Sequence, residues 1–451
     1  MDPLKIAENE KKYVIHSWMA QRDFKPFIVT GGKGAVIWDD TGKKYLDFSS
    51  QLFNVNIGHQ HPKIIAAIKD QLDKLCYIGP GPANETRAEL CRILAEITPG
   101  DLVKTFLSSG GGTANENAIK IAKAYTGRPK IISRWRSYHG ATYGAMSITG
   151  DPRRLPNEPG IPGMVRIWDP FCYRCFFDKT YPQCNLFCAD QIREVIEVEG
   201  PKTIAGIIVE PITGSNCRII PPDGYMQRLR QICDEYKILL ITDEVMTGFG
   251  RTGKMFCCEH WNVVPDIMTL AKGINNAVLP LGATVVRKPI ADFMDEHMFW
   301  GGLTQFGNPT SCAAAIAAIQ VYKEEGIVEN SRVLGIKLLT ELERMKQKHP
   351  SIGDVRGLGL FAAIEFVRDQ KTRDPVIPWT VENYEKKNPT MSAILNQMKA
   401  DGVTGYSRWN VLFIAPPLCI TEEQLMEGLS VTDKAINIMD DLVAKNSQPH
   451  G

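Results

Sequence analysis

The sequence lacks the long apolar segments that mark membrane-spanning and exported proteins. Its apolar runs are much shorter than the roughly 18 to 20 residues that a membrane helix needs. The first 18 residues mix charges of both signs around no apolar centre, which is not typical of a secretory signal. We therefore expect a cytoplasmic protein that has no membrane partner.

An excess of charge of one sign is also absent. The 451 residues include 52 Lys and Arg against 51 Asp and Glu, so the formal net charge is +1, and no block of basic residues occurs. Nucleic acids attract proteins with clustered positive charge, so this composition argues against a nucleic-acid partner. The chain is 44% hydrophobic and long enough to bury a large core.

The 12 cysteines are not accompanied by an export signal, so we expect thiols and not a disulfide framework. Four of them form a C-x2-C-x8-C-x3-C pattern at Cys172, Cys175, Cys184 and Cys188. This pattern is compatible with a structural zinc site. The central spacer is shorter than in usual zinc modules, and buried thiols also pack as small apolar side chains. We predict no metal and keep the zinc site as the alternative.

From about residue 103 the sequence alternates between short apolar runs and helical segments. The runs that are typical of buried strands lie near 103–108, 130–134, 165–168, 204–209, 238–242, 266–270 and 281–286. This alternation predicts an α/β fold with a seven-stranded, mainly parallel sheet that is covered on both faces.

The two ends of the chain have a different pattern. Near the amino terminus, residues 35–38 and 44–48 predict a hairpin, and the segment after residue 308 is mainly helical. We expect residues 61–325 to form the large domain. Residues 1–60 and 326–451 would together form a smaller α+β domain.

Three of the predicted strands end at a charged residue. Glu210, Asp243 and Lys272 each follow an apolar run. In open α/β sheets the carboxyl ends of the strands form the ligand crevice, so these side chains should meet there. A carboxylate that keeps a pyridine nitrogen protonated and an amine that bonds to an aldehyde suit a pyridine aldehyde cofactor. We predict Asp243 and Lys272 as the catalytic pair.

A glycine-rich loop leads from the first strand of this series into a helix. Gly110, Gly111 and Gly112 would let the backbone approach an anion, and the helix N-terminus favours a phosphate. A flexible turn explains the loop equally well when it is taken alone. Tyr138 follows the second strand, where its ring would either lie on a cofactor ring or simply pack.

These segments together resemble the class III, or ω-amino-acid, aminotransferases of the type I pyridoxal phosphate fold. The resemblance extends over nearly the whole chain, from residue 13 to residue 418. Its most specific parts are Tyr138-His139-Gly140, Val209-Glu210-Pro211, residues 243–253, Leu270-Ala271-Lys272-Gly273 and residues 304–309. It implies an aminotransferase with pyridoxal 5'-phosphate as cofactor, working as a homodimer with a shared active site; a tetramer is the alternative assembly.

The resemblance also assigns roles by position. Lys272 would bond to the cofactor and carry a proton during the reaction, and Asp243 would pair with the ring nitrogen. Tyr138 and Val245 would cover opposite ring faces. The remaining implied cofactor contacts are Gly111, Gly112, Glu210 and Thr304, the last contributed by the second subunit.

One departure from the family pattern bears on the substrate. Many members have an arginine for the substrate carboxylate two residues before the Ala-Pro-Pro-Leu run, where this chain has Phe413. Another arginine must then bind a 2-oxo acid. We predict Arg408, with Arg153 and Arg154 as alternatives.

Two aromatic residues, Trp18 and Phe53, are the predicted walls of the substrate pocket. An apolar pocket mouth suits a short ω-amine whose acidic end meets one cation. The resemblance favours taurine as donor, with 2-oxoglutarate or pyruvate as acceptor. The alternatives are β-alanine, GABA or a general range of ω-amines.

A nucleotide hydrolase is the alternative from another class of protein. Residues 238–244 resemble a Walker B strand, and residues 248–254 match the G-x4-G-K pattern of a phosphate-binding loop. However, Met255 stands where that loop requires Ser or Thr, and the two motifs occur in the wrong order. We therefore treat this match as coincidental.

Overall fold

A seven-stranded sheet forms the centre of the protein, whose computed structural model describes residues 2–386 and 388–446. The strands of the chain, numbered in order, are β1 Val29–Lys33, β2 Val36–Asp39, β3 Lys44–Asp47, β4 Leu102–Ser108, β5 Lys130–Arg134, β6 Met164–Ile167, β7 Ile204–Val209, β8 Leu239–Asp243, β9 Ile267–Leu270, β10 Gly282–Arg287, β11 Ile352–Gly357, β12 Ala362–Asp369, β13 Asp374–Pro375, β14 Val403–Thr404, β15 Tyr406–Arg408 and β16 Val411–Ile414.

The α-helices are numbered in the same way. They are α1 Pro3–Tyr13, α2 Ser50–Phe53, α3 Pro62–Lys74, α4 Glu85–Ile97, α5 Gly111–Thr126, α6 Tyr143–Ile148, α7 Phe187–Glu199, α8 Tyr225–Tyr236, α9 Lys288–Glu296, α10 Pro309–Glu324, α11 Ile327–Lys348, α12 Val381–Glu385, α13 Pro389–Ala400 and α14 Glu422–Asn446. Among the described residues, no helix combines the length and apolarity needed to cross a membrane.

The central sheet has the strand order β4-β10-β9-β8-β7-β5-β6. Its parallel strands run in one direction, and β10 is antiparallel to both of its neighbours. All seven predicted strands are present, which confirms the predicted sheet. The carboxyl ends of β5, β7, β8 and β9 therefore lie along one edge.

Burial on both faces explains why these strands are almost continuously apolar. Every residue of β7, β8 and β9 is buried. One face packs against α7 and α8 through residues such as Ile207 and Leu240, and the other packs against α5 through residues such as Ile208 and Ile241. The sheet is therefore held rigidly where its strands end.

Two smaller sheets join the ends of the chain. The predicted hairpin is confirmed as β2 and β3, which pair antiparallel. β3 also pairs with β14 in parallel, so the amino-terminal and carboxy-terminal parts share a sheet. A second small sheet has the order β11-β12-β16-β15, with β13 beside β12. Neither β11 nor α13 was predicted from the sequence.

Candidate active site

The carboxyl ends of the central strands border a crevice with a volume of about 440 Å³. Seven of the eight predicted cofactor-binding residues line it: Gly111, Gly112, Tyr138, Glu210, Asp243, Val245 and Lys272. Because these residues come from five separate segments, their convergence results from the parallel direction of the strands.

Asp243, at the end of β8, is buried and held by three donors. Asn115 Nδ2 donates to Asp243 Oδ2 over 2.7 Å, and the Val245 amide donates to Oδ1 over 3.1 Å. His139 Nδ1 lies 2.8 Å from Oδ2, and since the carboxylate only accepts, Nδ1 carries the proton. Asn115 is in turn oriented by Thr269, whose hydroxyl donates to Asn115 Oδ1. This network fixes the orientation of the carboxylate.

Lys272 follows β9 and faces the same crevice. Desolvation lowers the pKa of its ammonium group to about 8, while Asp243 and Glu210 partly oppose this shift. Its backbone is left-handed, with φ of 47°, which is uncommon for a residue with a Cβ atom. The amine is therefore neutral far more often near neutral pH than an exposed lysine, as a nucleophile requires.

The glycine loop forms a tightly packed cradle at the N-terminus of α5. A Cβ atom at Gly111 would lie 2.8 Å from Val245 Cγ1. A Cβ atom at Gly140 would lie 2.4 Å from Gly112 Cα, and Gly140 has φ of 133°. The first amides of a helix have no partner within the helix, so they are available to an anion. The residues present thus fit the phosphate group of the cofactor.

Glu210 holds the crevice wall beside Tyr138. Its Oε1 accepts from the Tyr138 amide over 3.0 Å, and its Oε2 accepts from the Gly214 amide over 2.6 Å. Burial raises the pKa of Glu210, and the nearby Asp243 adds to this effect. The carboxyl group therefore positions the backbone that carries the Tyr138 ring.

Two arginines share one carboxylate beside the ring of Tyr138, although neither arginine is among the residues that line the crevice. Arg153 Nε lies 3.0 Å from both Asp151 oxygens, and its guanidinium carbon is 3.5 Å from the centre of the Tyr138 ring. Arg408 Nη1 lies 3.6 Å from Asp151 Oδ2, and Arg408 Nη2 donates to Tyr406 Oη over 3.2 Å. Two positive charges against one negative charge leave a surplus that suits an anionic substrate.

Arg154, the third predicted arginine, lies apart from this cluster. Its Nε donates to Glu158 over 2.8 Å, and its guanidinium group stacks on Trp135. These contacts hold Arg154 to Glu158 and to Trp135, and Arg154 does not line the crevice.

The other predicted site residues have different positions. Trp18 was predicted as a pocket wall but does not line the crevice; it is 53% exposed, and its ring meets that of Tyr138 nearly at right angles with the ring centres 6.0 Å apart. Phe53 was predicted to line the pocket but does not line the crevice; it is buried against Phe413. Thr304 is exposed and also does not line the crevice of its own chain. Its carbonyl oxygen accepts from Tyr77 Oη.

The four patterned cysteines line a second, small cavity with several aromatic rings. Burial raises the pKa of Cys172 to about 11 and that of Cys188 to about 12. Within the part of the chain that the structure describes, no group of three or more His, Cys, Asp or Glu side chains is arranged to hold a metal ion. The cavity that these thiols line shares no lining residue with the crevice.

The segment that matches a phosphate-binding loop is a structural turn. Glu244 accepts from the amides of Cys257 and Cys258. Arg251 is buried and donates to the carbonyl oxygens of Leu360 and Pro416. The segment thus ties the large sheet to the carboxy-terminal part, which leaves no phosphate cradle there.

Sequence reasoning gave no roles to Asn115, His139 and Asp151. Asn115 looks like an ordinary polar residue of α5, and His139 lies between two residues that were singled out. Asn115 and His139 both contact Asp243, which is more than a hundred residues away from either of them in the sequence. A polar residue one turn inside a phosphate-binding helix is the only sequence signal that could have pointed to Asn115.

Comparison with known proteins gives consistent matches along the chain. The family model described as aminotransferase class-III matches residues 18–436. A taurine–pyruvate aminotransferase from Bilophila wadsworthia is 35% identical over 453 residues, which cover 97% of this chain and 98% of that protein. An adenosylmethionine-8-amino-7-oxononanoate aminotransferase from Geobacter sulfurreducens is 33% identical over 454 residues, which cover 95% of this chain and 97% of that protein.

A solved structure extends the agreement to three dimensions. The taurine:2-oxoglutarate aminotransferase from Bifidobacterium kashiwanohense, in complex with PLP and glutamate, superposes with a TM-score of 0.92. It is 38% identical, and the match covers 97% of this chain and 98% of that chain. The type I fold and the predicted cofactor are thereby confirmed. The chain belongs to the class III aminotransferases and is an enzyme that depends on pyridoxal phosphate.

Proposed function

We propose that this enzyme transfers the amino group of a short ω-amino acid, with taurine as the favoured donor, to 2-oxoglutarate or pyruvate. The observation that carries the proposal is the surplus positive charge of Arg153 and Arg408 around Asp151, directly in front of Tyr138. A 2-oxo acid has a carboxylate beside its reacting carbon, and a guanidinium group binds it with two hydrogen bonds. Arg408 is our candidate for this contact.

Each crevice residue has a task in this reaction. Bound pyridoxal phosphate would supply a ring that withdraws electrons from the substrate carbon. The amides of Gly111 and Gly112 would bind its phosphate, and Asp243 would keep its ring nitrogen protonated. Lys272 Nζ would move the proton, since its lowered pKa lets the amine accept and return it.

Two of the similar proteins support taurine but differ in the acceptor. One is named for taurine and pyruvate, and the solved structure is named for taurine and 2-oxoglutarate. Sulfonates and carboxylates are both small anions that bind guanidinium groups, so β-alanine and GABA are the competing donors.

The exposed surface supports a homodimer that shares its active sites. Met298 is 72% exposed and Trp300 is 84% exposed, and both precede Thr304 closely in sequence. Large apolar side chains at such exposure favour contact with another protein surface. We propose that a second copy covers them and brings its Thr304 to the phosphate.

A donor screen with the purified enzyme tests the proposal. Taurine, β-alanine, GABA and a short amine without an acidic group are each paired with 2-oxoglutarate and with pyruvate, and amino acid formation is measured. We expect the highest kcat/KM for taurine. Equal rates for the amine without an acidic group would contradict the role given to the donor's anionic end.

A further inference from the structure

A completely buried arginine lies next to the active site without a carboxylate partner. Arg218 has no solvent-exposed surface, and its Nη1 donates to the Gly214 carbonyl oxygen. Its Nε and Nη2 have no hydrogen-bond partner, and among residues 2–386 and 388–446 no acidic side chain forms an ion pair with it. Burial lowers its pKa well below the usual range. A buried charge in this condition opposes folding unless something else favours it.

Burial outweighs the Glu210 carboxylate, whose charge raises the pKa of Arg218 without forming an ion pair with it. Three aromatic rings surround Arg218. Its guanidinium carbon lies 3.5 Å from the ring centre of Phe361, 4.2 Å from that of Phe53 and 4.7 Å from that of Phe413. Aromatic faces attract a cation, but they do not satisfy its remaining N–H groups. Arg251, which is equally buried, differs because its amino groups donate to several oxygens.

Met246 connects Arg218 to the crevice. Met246 lines the crevice, and its sulfur lies 3.6 Å from Arg218 Nη1. A methionine changes conformation easily because it is unbranched and polarisable. Movement of Met246 would open the guanidinium group to a ligand that already occupies the crevice.

Arg218 and the pair of Arg153 and Arg408 are two separate positive sites next to the crevice. Arg153 lies against the ring of Tyr138, and Arg218 contacts Met246; both Tyr138 and Met246 line the crevice. The pair of Arg153 and Arg408 suits the carboxylate beside the reacting carbon, as proposed above. Arg218 then suits an anionic group at the other end of the substrate.

We propose that Arg218 binds the second carboxylate of the acceptor, so that the preferred acceptor is a 2-oxo dicarboxylic acid such as 2-oxoglutarate. This inference rests on the proposed aminotransferase reaction and selects between its two acceptors. The ligand's carboxylate would accept from the N–H groups of Arg218 that have no hydrogen-bond partner among the described residues. Pyruvate has no second carboxylate and would leave the guanidinium unpaired.

The test uses the acceptor half of the reaction alone. The enzyme is loaded with pyridoxamine phosphate and mixed with 2-oxoglutarate or pyruvate, and kcat/KM is measured from the absorbance change. Arg218→Met should lower the value for 2-oxoglutarate about 10- to 100-fold, the effect of losing a charged hydrogen bond. The value for pyruvate should stay within about twofold. Arg218→Lys, which keeps the charge, should recover part of the loss.

Two further variants test whether the change in acceptor preference depends on the charge at Arg218. Arg166 is a partly buried arginine on the edge strand β6 that donates only to the Ser147 and Thr149 carbonyl oxygens, so Arg166→Met should leave both acceptors unchanged. Adding Phe413→Arg to Arg218→Met places a guanidinium group in the neighbouring position. This double variant should restore part of the preference for 2-oxoglutarate.

Protein stability separates a substrate-binding role from a structural one. If Arg218 is kept for the substrate, Arg218→Met should have an equal or higher Tm, because an unpaired buried charge has been removed. Glutarate, an unreactive dicarboxylate, should raise the Tm of the wild-type enzyme and not that of Arg218→Met. An equal loss for both acceptors, an unchanged acceptor ratio, or a lower Tm in Arg218→Met would overturn the inference. Failure of the proposed function would instead appear as no reaction of the wild-type enzyme with either acceptor.

Discussion

At Lys272, burial decides when the side chain can react. Its ammonium group has a pKa lowered to about 8 by desolvation. Only the neutral amine can attack the aldehyde of free pyridoxal phosphate. We expect the rate of cofactor uptake by the cofactor-free protein to rise with pH and level off above about pH 8, with about a tenfold loss per pH unit below it. Stopped-flow absorbance measures this profile.

Lys272→Ala is the control for this experiment, and it should show no covalent uptake and no turnover. A wild-type profile centred near the ordinary lysine value of 10.5 would contradict the effect of burial on this amine.

Asp243 should contribute through its charge and not through its shape. Asp243→Asn keeps the size of the side chain but removes the negative charge that favours a protonated ring nitrogen. We expect about a 10²- to 10³-fold loss of kcat with the cofactor still bound. Asp266→Asn is a matched control, since Asp266 pairs with Arg230 and does not line the crevice. Wild-type kinetics in Asp243→Asn would remove its electronic role.

Arg408 provides a test of substrate binding at the residue scale. Arg408→Ala removes one of the two positive charges around Asp151, so the KM for the 2-oxo acid should rise about 10- to 100-fold. The KM for the amine should change much less. Arg154→Ala is the comparison, because Arg154 is bound to Glu158 instead. If both variants keep the wild-type KM, Arg153 becomes the remaining arginine of the cluster.

The sequence predicted the residues whose position follows from a strand end, and it did not predict those that depend on contacts between distant segments. Asp243 and Lys272 each follow an apolar run, so their meeting could be inferred from the sheet. Arg218 is different. Its setting depends on Phe53, Phe361 and Phe413, which are distant from it in sequence and meet only in the folded chain.

At the scale of one element, the start of α5 requires glycine at its first position and tolerates a side chain at the position before it. A Cβ atom at Gly111 would lie 2.8 Å from Val245 Cγ1, whereas one at Gly110 would meet no atom within 4 Å. Gly111→Ala should therefore displace the cradle from Val245. Overpacking of about 1–3 kcal/mol corresponds to roughly a 10- to 100-fold weaker affinity for the cofactor.

Titration of the cofactor-free variants with pyridoxal phosphate, followed by absorbance, measures this effect. Gly110→Ala serves as the matched variant and should bind the cofactor almost as the wild type does. Equal affinity in the two variants would show that the close packing against Val245 has no part in binding.

The element boundaries show what apolar patterning can and cannot predict. All seven strands of the central sheet were predicted within about two residues, because buried strands form continuous apolar runs. The reversed direction of β10 was not predicted, since such a run reads the same in either direction. β11 was missed because Asp354 and Arg356 interrupt its apolar pattern, although Arg356 is compensated in the structure by Glu365.

At the scale of the whole molecule, the site combines segments from most of the chain. Trp18 comes from the amino-terminal part, Lys272 from the large sheet and Arg408 from the carboxy-terminal part. The pairing of β3 with β14 brings the two ends together. Alternation of strands and helices predicted the central sheet, and the different pattern of the two ends predicted a shared smaller domain, but the pairing of β3 with β14 was not predicted.

The proposed dimer, in which each active site uses residues of both chains, can be tested by mixing two inactive variants. Lys272→Ala lacks the reactive amine, and Thr304→Asp places a negative charge where the partner's phosphate would bind. In a mixed dimer, one site would combine an intact Lys272 with an intact Thr304 from the other chain. Random mixing should therefore restore about a quarter of the wild-type activity. Activity after dissociation and reassociation of the mixture is the measurement.

The outcome depends on which chain supplies Thr304 to a site. The experiment therefore distinguishes a site shared between two chains from a site formed within one chain. If Thr304 acted within its own chain, every site in the mixture would carry one defect and no activity would return. Thr340→Asp is the matched control, because Thr340 is an exposed threonine on α11, and this variant should be active by itself. Sedimentation of the wild type as a monomer would exclude the shared site outright, since no partner could then reach the crevice that Asp243 and Lys272 border.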